Sequence, residues 1–289
     1  MNRLYSIIAC LACLLIAGAQ QLTIGSYNIR ILVPNDEAQG HVWLTRCQVM
    51  CNMINYEAPE TFGAQEVVGR QYDDMLTALK GQYKVIGTET DPRKDVGEHS
   101  PIFYNPDKVK LLDNGMFWLS ETPNVPGKGW DGMYPRVCTW GKFRHRATGK
   151  IFYHFNIHLD HVGTEAQLRS AQLVLQQIKK IAGKHHAVLT GDFNVDQTSD
   201  TYSIFVNDGL LVDTYESAKF RFAENSTFNN FDTTGYSTSR IDHIMVTRNI
   251  EAERYAILTN SYWSEDKDGN KTRRNPSDHY PVFVKLLLK

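Results

Sequence analysis

The sequence predicts one layered domain of mixed strands and helices, and three observations lead to this prediction. Short β-type runs recur between turns throughout the 289 residues. A few segments with helical apolar periodicity lie between them, without a strict strand–helix alternation. No low-complexity linker or internal repeat divides the chain. This pattern favours an α+β or layered α/β sandwich over a doubly wound parallel sheet or a bundle.

The strands are predicted from short runs of β-branched and aromatic residues that end at turn-forming residues. These runs are 22–27, 83–86, 101–104, 137–143, 151–157, 187–190, 241–246 and 281–288. The segment 114–134 contains several Pro and Gly residues and is predicted to be a long ordered loop rather than a domain boundary.

Two helices are predicted from apolar residues at helical spacing. Residues 42–56 carry one such face, on which Cys47 and Cys51 are expected to be small buried core residues rather than metal ligands. Residues 165–182 carry the clearest apolar face, and the helix is expected to end at Gly183. Thr164 and Gln167 are expected to form a capping box at the start of this helix.

The first 19 residues are predicted to be a signal peptide. A short positive start is followed by an almost unbroken apolar run over 4–16 and by Ala17-Gly18-Ala19, the small-x-small pattern of a cleavage site. The run is too short for a permanent membrane span. A lipoprotein acylated at Cys10 or Cys13 and a buried N-terminal helix fit the pattern less well. We therefore expect an exported chain, periplasmic or extracellular, with a single domain over 20–289 and no transmembrane span.

Composition and charge limit the classes of function. The chain is 42% hydrophobic and 22% charged, with 31 basic against 32 acidic residues, which excludes disordered and fibrous classes. Loss of the leader removes one arginine and no acid, and takes the net charge from −1 to −2. Such a chain has no general positive field for holding nucleic acid, so phosphate chemistry requires a local site. Only three of the five cysteines remain, too few for a disulfide framework.

Polar residues stand at the ends of several predicted strands, where core packing does not require them. Active sites of sheet proteins gather at such ends, because the strands fix the backbone while the side chains stay accessible. The residues in question are Asn28, Glu66, His158, Asp192, Asn194, Asp242, Asp278 and His279. Asp192 and Asn194 are two apart, so in an extended chain they would share a face. The short spacing of His158 and His161 suggests zinc, but a shared metal would need a turn between them; we favour His158 in the site and His161 in a local loop.

Six short motifs occur in one order along the chain. They are Tyr27-Asn28-Ile29-Arg30, Gln65-Glu66-Val67, the run from Asn156 to His161, Gly191-Asp192-Phe193-Asn194, Arg240-Ile241-Asp242-His243 and Ser277-Asp278-His279. Each motif is weak alone, but in this order and spacing they resemble the endonuclease/exonuclease/phosphatase family, which has the DNase I-like fold. The resemblance spans nearly all of residues 20–289. It implies a four-layer α/β sandwich in which two packed mixed β-sheets are flanked by helices.

The resemblance also implies roles for the motif residues in a hydrolase of phosphate esters. Glu66 would be the principal ligand of Mg²⁺ or Mn²⁺, with Asn28 and Asp278 around it; hard oxygen ligands favour these ions over zinc. Asp192 would orient and deprotonate the attacking water, and Asn194 would donate to a non-bridging oxygen.

A histidine pair would complete this site. His279 would pair with Asp242 and remain cationic, and His158 would be a second donor to the transition state. Arg136 is interpreted either as a phosphate clamp or as a salt-bridged surface arginine.

The substrate class stays open at this stage. Nucleic acid, a sphingomyelin-type lipid head group and a small phosphate ester or sugar phosphate are all compatible with the motifs. Trp118 and Trp130 would serve either as a ridge for lipid or as buried loop anchors. We expect a monomer with no stable protein partner. The hypothesis from another class, a non-catalytic binding module on the same fold, predicts that some motif residues would be missing, and none is.

Overall fold

The computed structural model describes residues 21–87, 99–222, 225–266 and 268–289. Its helices are α1 (Pro34–Ala38), α2 (Trp43–Glu57), α3 (Gln71–Ala78), α4 (Thr164–Ala182), α5 (Asp200–Asn207) and α6 (Thr214–Ser217). Its strands are β1 (Gln21–Asn28), β2 (Thr61–Gln65), β3 (Lys84–Ile86), β4 (Ile102–Tyr104), β5 (Val109–Trp118), β6 (Val137–His145), β7 (Ile151–His158), β8 (His186–Asp192), β9 (Leu211–Asp213), β10 (Phe220–Phe222), β11 (Asp242–Thr247), β12 (Ile250–Ile257), β13 (Tyr262–Glu265), β14 (Lys271–Arg274) and β15 (Val282–Leu288).

Two mixed sheets form the centre of the domain. The seven-stranded sheet has the order β10-β12-β15-β1-β2-β4-β3, and the six-stranded sheet has the order β5-β6-β7-β8-β11-β9. Strands β1 and β2 are parallel, as are β7 and β8, while β15 runs antiparallel to β1 and β11 antiparallel to β8. Strands β13 and β14 form a separate hairpin.

Three apolar clusters separate the layers. One lies between the sheets and includes Ile24, Phe143, Val188 and Val284. The second packs α4 and α5 on the outer face of the six-stranded sheet, and the third packs α2 and α3 on the outer face of the seven-stranded sheet. Each sheet is therefore covered on both faces, which explains why its central strands are buried along nearly their whole length rather than alternating between buried and exposed residues. The predicted four-layer sandwich of two packed mixed sheets flanked by helices is confirmed.

A polar network crosses the space between the two sheets. His154 lies between Thr61 of one sheet and Thr190 of its own, with ring nitrogens 2.9 and 2.8 Å from the two hydroxyls. The Asn156 amide nitrogen donates to two backbone carbonyls of the other sheet, and its Oδ1 accepts from Gln65 at 2.7 Å. We call Thr61, Gln65, His154, Asn156 and Thr190 the inter-sheet polar network. Each member is buried and makes at least one of these hydrogen bonds, although Gln65 Oε1 has no partner among the described residues.

Gly63 makes room for this network. A Cβ at this position would lie 2.2 Å from Asn156 Oδ1 and 2.4 Å from Thr190 Oγ1. No real side-chain atom tolerates such distances, and both neighbours are held by hydrogen bonds. The strand β2 can therefore approach the facing sheet only because residue 63 is glycine.

The elements predicted from apolar runs are present, with ends displaced by at most two residues. Two long strands were not predicted, β5 and β12. Each carries an irregularity in its pairing register, between Leu111 and Asp113 in β5 and between Ala252 and Arg254 in β12. The prediction of a loop over 114–134 is wrong for its first five residues, which belong to β5. An extra residue breaks the period-two pattern on which strand prediction depends.

The predicted capping box of α4 is also wrong. The N-cap is Gly163, and Thr164 is already the first helical residue. The exposed N–H groups are satisfied from a distant segment instead, since the Asp131 carboxylate accepts from the backbone of Glu165 at 3.2 Å and of Ala166 at 2.7 Å. A carboxylate at this end also complements the helix dipole.

Other predictions concern cysteines, tryptophans and the leader. Cys47 and Cys51 are free and buried, as expected for core residues, and Cys138 is free and buried as well. Trp118 is buried and Trp130 is half-buried, which agrees with anchors of the loop. The predicted signal peptide, 1–19, lies outside the described residues. Within the part of the chain that the structure describes, no helix has the length and apolar character to cross a bilayer.

Candidate active site

The strand register brings the predicted site residues to one edge of the sandwich. Both sheets contribute. The register pairs Asn28 with Gln65, the residue before Glu66, in one sheet; in the other it pairs Asp192 with both His158 and Asp242. His279 stands three residues before the start of β15, the strand that pairs with β1. The cluster therefore forms where the edges of two sheets meet.

Asp192 lies at the centre of this cluster. Its Oδ2 accepts a hydrogen bond from Asn28 Nδ2 at 2.9 Å and lies 3.5 Å from His158 Nε2 and 3.7 Å from His279 Nε2. The carboxylate is 1% exposed. Burial alone would raise its pKa, but the two histidines and the hydrogen bonds outweigh burial, so the pKa of Asp192 lies below its ordinary value. Asp192 is therefore an ionised acceptor at neutral pH.

His279 and Asp242 form a buried pair. Nδ1 of His279 lies 2.8 Å from Asp242 Oδ2. Burial lowers the pKa of His279, but the carboxylates of Asp242 and Asp192 raise it more, and the net pKa lies well above the ordinary value. Thr227 Oγ1 accepts from the backbone N–H of Asp242 at 3.0 Å and so fixes the start of β11. His279 is therefore a cation that presents Nε2–H towards Asp192.

His158 is oriented by Arg136. The Arg136 Nη1 donates to His158 Nδ1 at 2.8 Å, so this nitrogen is the acceptor and Nε2 carries the proton that faces Asp192. The Arg136 Nη2 lies 3.5 Å from His161 Nδ1. Arg136 is buried, which does not fit a salt-bridged surface arginine.

Glu66 directly follows β2 and has a left-handed backbone conformation, with φ of 64°. Such a conformation costs of the order of 1 kcal/mol or more for a residue other than glycine. It turns the carboxylate back over the strand ends, where Oε1 accepts from Asn28 Nδ2 at 3.0 Å and Oε2 accepts from the Ile31 N–H at 2.8 Å. One amide group thus bridges Glu66 and Asp192.

One group of side chains here can hold a metal ion. Ligand atoms of Glu66, His158 and Asp192 all lie within 4.8 Å of one another. A second group of this kind consists of Asp192, Asp242 and His279. Asp242 and His279 already hydrogen-bond to each other, so this group has fewer atoms that could ligate a metal. The oxygens of Glu66 and Asp192 are the ligands in this group that suit a divalent cation, since His158 Nδ1 accepts from Arg136 and its Nε2 carries the proton.

The other two predicted ligands are placed differently. Asn28 presents its amide nitrogen to the two carboxylates, while its Oδ1 accepts from the Arg30 N–H at 3.0 Å. Asp278 Oδ2 lies 3.2 Å from Arg30 Nη1. Arg30 also binds Asp36, with Nε 2.8 Å from its carboxylate. Sequence reasoning gave Arg30 no role, although it stands two residues after Asn28 in the first motif.

Asn194 is not on an extended strand. Strand β8 ends at Asp192, and Asn194 has φ of 51°, so the shared-face argument does not describe this turn. The Asn194 backbone N–H donates to Asp192 Oδ1 at 2.9 Å, and its Nδ2 donates to the Leu159 carbonyl at 2.9 Å. In this conformation Asn194 orients the central carboxylate.

Comparison with known proteins identifies the family. The model of the endonuclease/exonuclease/phosphatase family matches residues 48–279. A family protein of Bacteroides thetaiotaomicron is 45% identical, with a TM-score of 0.89 over 93% of this chain and 98% of its own. A mannosyl-6-phosphatase of the same organism is 46% identical, with a TM-score of 0.88 over 92% and 99%. A third structure, from Bacteroides vulgatus, is 35% identical, with a TM-score of 0.83 over 93% and 99%. The chain, with its two-sheet fold and its motif residues gathered at one edge, belongs to the endonuclease/exonuclease/phosphatase family.

Proposed function

We propose that this protein is an exported, divalent-metal-dependent phosphoesterase that hydrolyses the phosphomonoester of a small sugar phosphate. Family membership supports hydrolysis of phosphate esters. The sugar phosphate is suggested by the mannosyl-6-phosphatase, which is 46% identical over 92% of this chain. Export is suggested by the leader pattern of residues 1–19 alone.

The observation that carries the proposal is the position of Asp192 between two imidazole Nε2 atoms, at 3.5 and 3.7 Å. An ionised, buried acceptor there orients a water molecule and takes its proton as the water oxygen bonds to phosphorus. The bond between phosphorus and the sugar oxygen breaks in the same step, and the sugar leaves as an alcohol after its oxygen takes a proton from solvent. His279, held cationic by Asp242, donates to a phosphoryl oxygen, and His158 donates to another. Donors fixed before the reaction stabilise the charge that develops in the transition state. Arg136 acts on the phosphate indirectly, by keeping the proton of His158 on Nε2.

The carboxylate oxygens of Glu66 and Asp192 support the proposed cation, whereas Asn28 turns its amide nitrogen towards them. Glu66 is the proposed principal ligand, with Asn28 and Asp278 beside it. A bound Mg²⁺ or Mn²⁺ would neutralise charge on the phosphoryl oxygens. The Asn194 N–H would keep Asp192 Oδ2 turned towards the reacting water, since it holds Oδ1. Its side-chain amide is proposed to donate its second proton to the substrate.

The test is a metal-supplemented activity panel on the purified chain. The arms are mannose 6-phosphate, a nitrophenyl diester, single-stranded and duplex DNA, and sphingomyelin vesicles, each with Mg²⁺, Mn²⁺ or a chelator. We expect hydrolysis of the sugar phosphate, abolished by chelation and restored by either ion. A faster rate on DNA would identify a nuclease instead of a sugar phosphatase, and a faster rate on vesicles would identify a lipid phosphodiesterase. No hydrolysis in any arm would favour a non-catalytic binding module.

Variants connect the activity to the proposed residues. Asp192→Asn and His279→Ala should each lower kcat by on the order of a hundredfold or more. The matched controls are Asp107→Asn and His185→Ala, which change exposed residues outside the site and should leave kcat unchanged; His185 precedes the start of β8, whose other end carries Asp192. Near-normal activity of Asp192→Asn would remove that residue from the reaction. Export is tested separately by N-terminal sequencing of the protein from its native cells, where Gln20 is expected as the first residue.

A further inference from the structure

Two exposed aromatic rings stand at the two ends of the active-site row. The row consists of Arg136, His158, Asp192 and His279, which contact one another in this order and are all buried. Phe228 lies against His279 at one end of the row, and Tyr134 lies beside Arg136 at the other end. We call Phe228 and Tyr134 the aromatic bracket. None of the six motifs contains either residue.

Phe228 is fixed against the catalytic histidine. Its backbone forms a β-bridge with His279, and the two ring centroids lie 5.0 Å apart at an interplanar angle of 66°. The ring nevertheless remains 41% exposed. Its backbone is thus held at the site while much of its apolar surface stays accessible to a ligand that reaches His279.

Tyr134 has the corresponding position at the other end. Its ring stacks on His161 with centroids 5.8 Å apart, and the Arg136 guanidinium lies 5.9 Å from its centre. The Tyr134 backbone N–H donates to Asp160 Oδ2 at 3.1 Å, which anchors the loop that carries it. This ring is 50% exposed.

The bracket fits the organic part of a phosphate ester. A phosphoryl group bound by the buried donors of the row would leave its substituent on the solvent side of the row, where the two exposed residues lie. The C–H faces of a pyranose are electropositive and pack well on the negative face of an aromatic ring. Small-molecule sites combine a few fixed polar groups with aromatic walls in this manner. We infer that Phe228 and Tyr134 bind the sugar ring of the substrate and determine specificity for it, an inference that rests on the proposed function.

The test compares a sugar phosphate with an ester that has no ring. For wild type and variants, kcat/KM is measured on mannose 6-phosphate and on methyl phosphate, and the ratio of the two is the specificity readout. We expect Phe228→Ala and Tyr134→Ala each to lower this ratio by about tenfold, mainly through a higher KM for the sugar phosphate. Phe228→Tyr should restore the wild-type ratio. Phe220→Ala and Tyr56→Ala are the matched controls, since both residues are exposed and distant in the fold, and both should keep the ratio.

Methyl phosphate separates substrate binding from damage to His279. If Phe228→Ala lowered kcat/KM equally on both esters, the ring would support the catalytic histidine and the inference would be overturned. An unchanged ratio in both bracket variants would overturn it as well. Failure of the wild-type chain to hydrolyse any phosphate ester would contradict the proposed function itself, and would be distinguished by the activity panel.

Discussion

His154 makes the stability of this protein depend on pH in a way that can be calculated. The imidazole is fully buried between Thr61 and Thr190, with one nitrogen accepting and the other donating. A second proton would turn both nitrogens into donors in a place without a carboxylate. Burial accordingly lowers the pKa of His154 from 6.5 to about 3.

The sign and size follow from proton linkage. The unfolded chain binds a proton at His154 below about pH 6.5, whereas the folded chain does not do so until about pH 3. The contribution of His154 to the free energy of unfolding is therefore fully present above the pKa of the unfolded chain, and it is lost as the pH falls from 6.5 towards 3. Between about pH 7.5 and about pH 5, His154 lowers the free energy of unfolding by about 2 kcal/mol. At pH 5 the folded protein is still neutral here, so nearly all of this loss comes from protonation of the unfolded chain.

The assay is urea unfolding of wild type and His154→Gln at these two pH values. Other groups titrate as well, including His41 and His145, whose pKa values are also lowered by burial. The difference between wild type and variant removes their contribution. Wild type should lose about 2 kcal/mol more than His154→Gln on acidification, while His185→Gln, at an exposed position, should behave as wild type. Equal losses in wild type and His154→Gln would refute the reasoning.

Three further predictions follow from particular contacts. Asp242→Asn should lower kcat by on the order of a thousandfold because His279 loses the carboxylate that keeps it cationic; a loss below tenfold, in steady-state assays, would contradict this role. Gly63→Ala should reduce the free energy of unfolding by about 2 kcal/mol or more, since its Cβ would meet Asn156 and Thr190, whereas Gly127→Ala, which meets nothing within 4 Å, should change it by under about 0.5 kcal/mol. Asp131→Ala should cost about 1 kcal/mol through the lost cap of α4, and Asp131→Asn much less; equal melting temperatures of wild type and Asp131→Ala would argue against the cap.

The parts of the fold that could be predicted are those where local pattern and tertiary role agree. Central strands such as β7 and β8 are buried on both faces, and their mainly apolar residues form short runs that the sequence predicts as strands. Strands β5 and β12 were missed because a register irregularity breaks their alternation; in β5 the sequence Asp113-Asn114-Gly115 also has the composition of a turn. The cap of α4 could not be predicted, since Asp131 lies 34 residues from the N–H that it accepts from.

The site residues that stand at the ends of strands could be predicted from the sequence. Asp192, His158 and Asp242 are adjacent because paired strands place them in register. Residues that depend on loop conformation were not predictable in the same way. Arg30 and Thr227 contact the site residues only through turns, and the left-handed φ of Asn194 redirects a side chain that sequence spacing had placed on the same face as Asp192.

The division of the site between two sheets has a consequence for how the protein loses activity. Asn28 and Glu66 belong to one sheet, and His158, Asp192 and Asp242 to the other, so no single sheet contains a complete set. Any opening of the sandwich separates the halves, and no partly unfolded form that lacks the inter-sheet contact retains a competent site. Hydrolytic activity therefore reports on the cooperative unit of the fold, and the denaturant midpoint of inactivation should coincide with that of global unfolding.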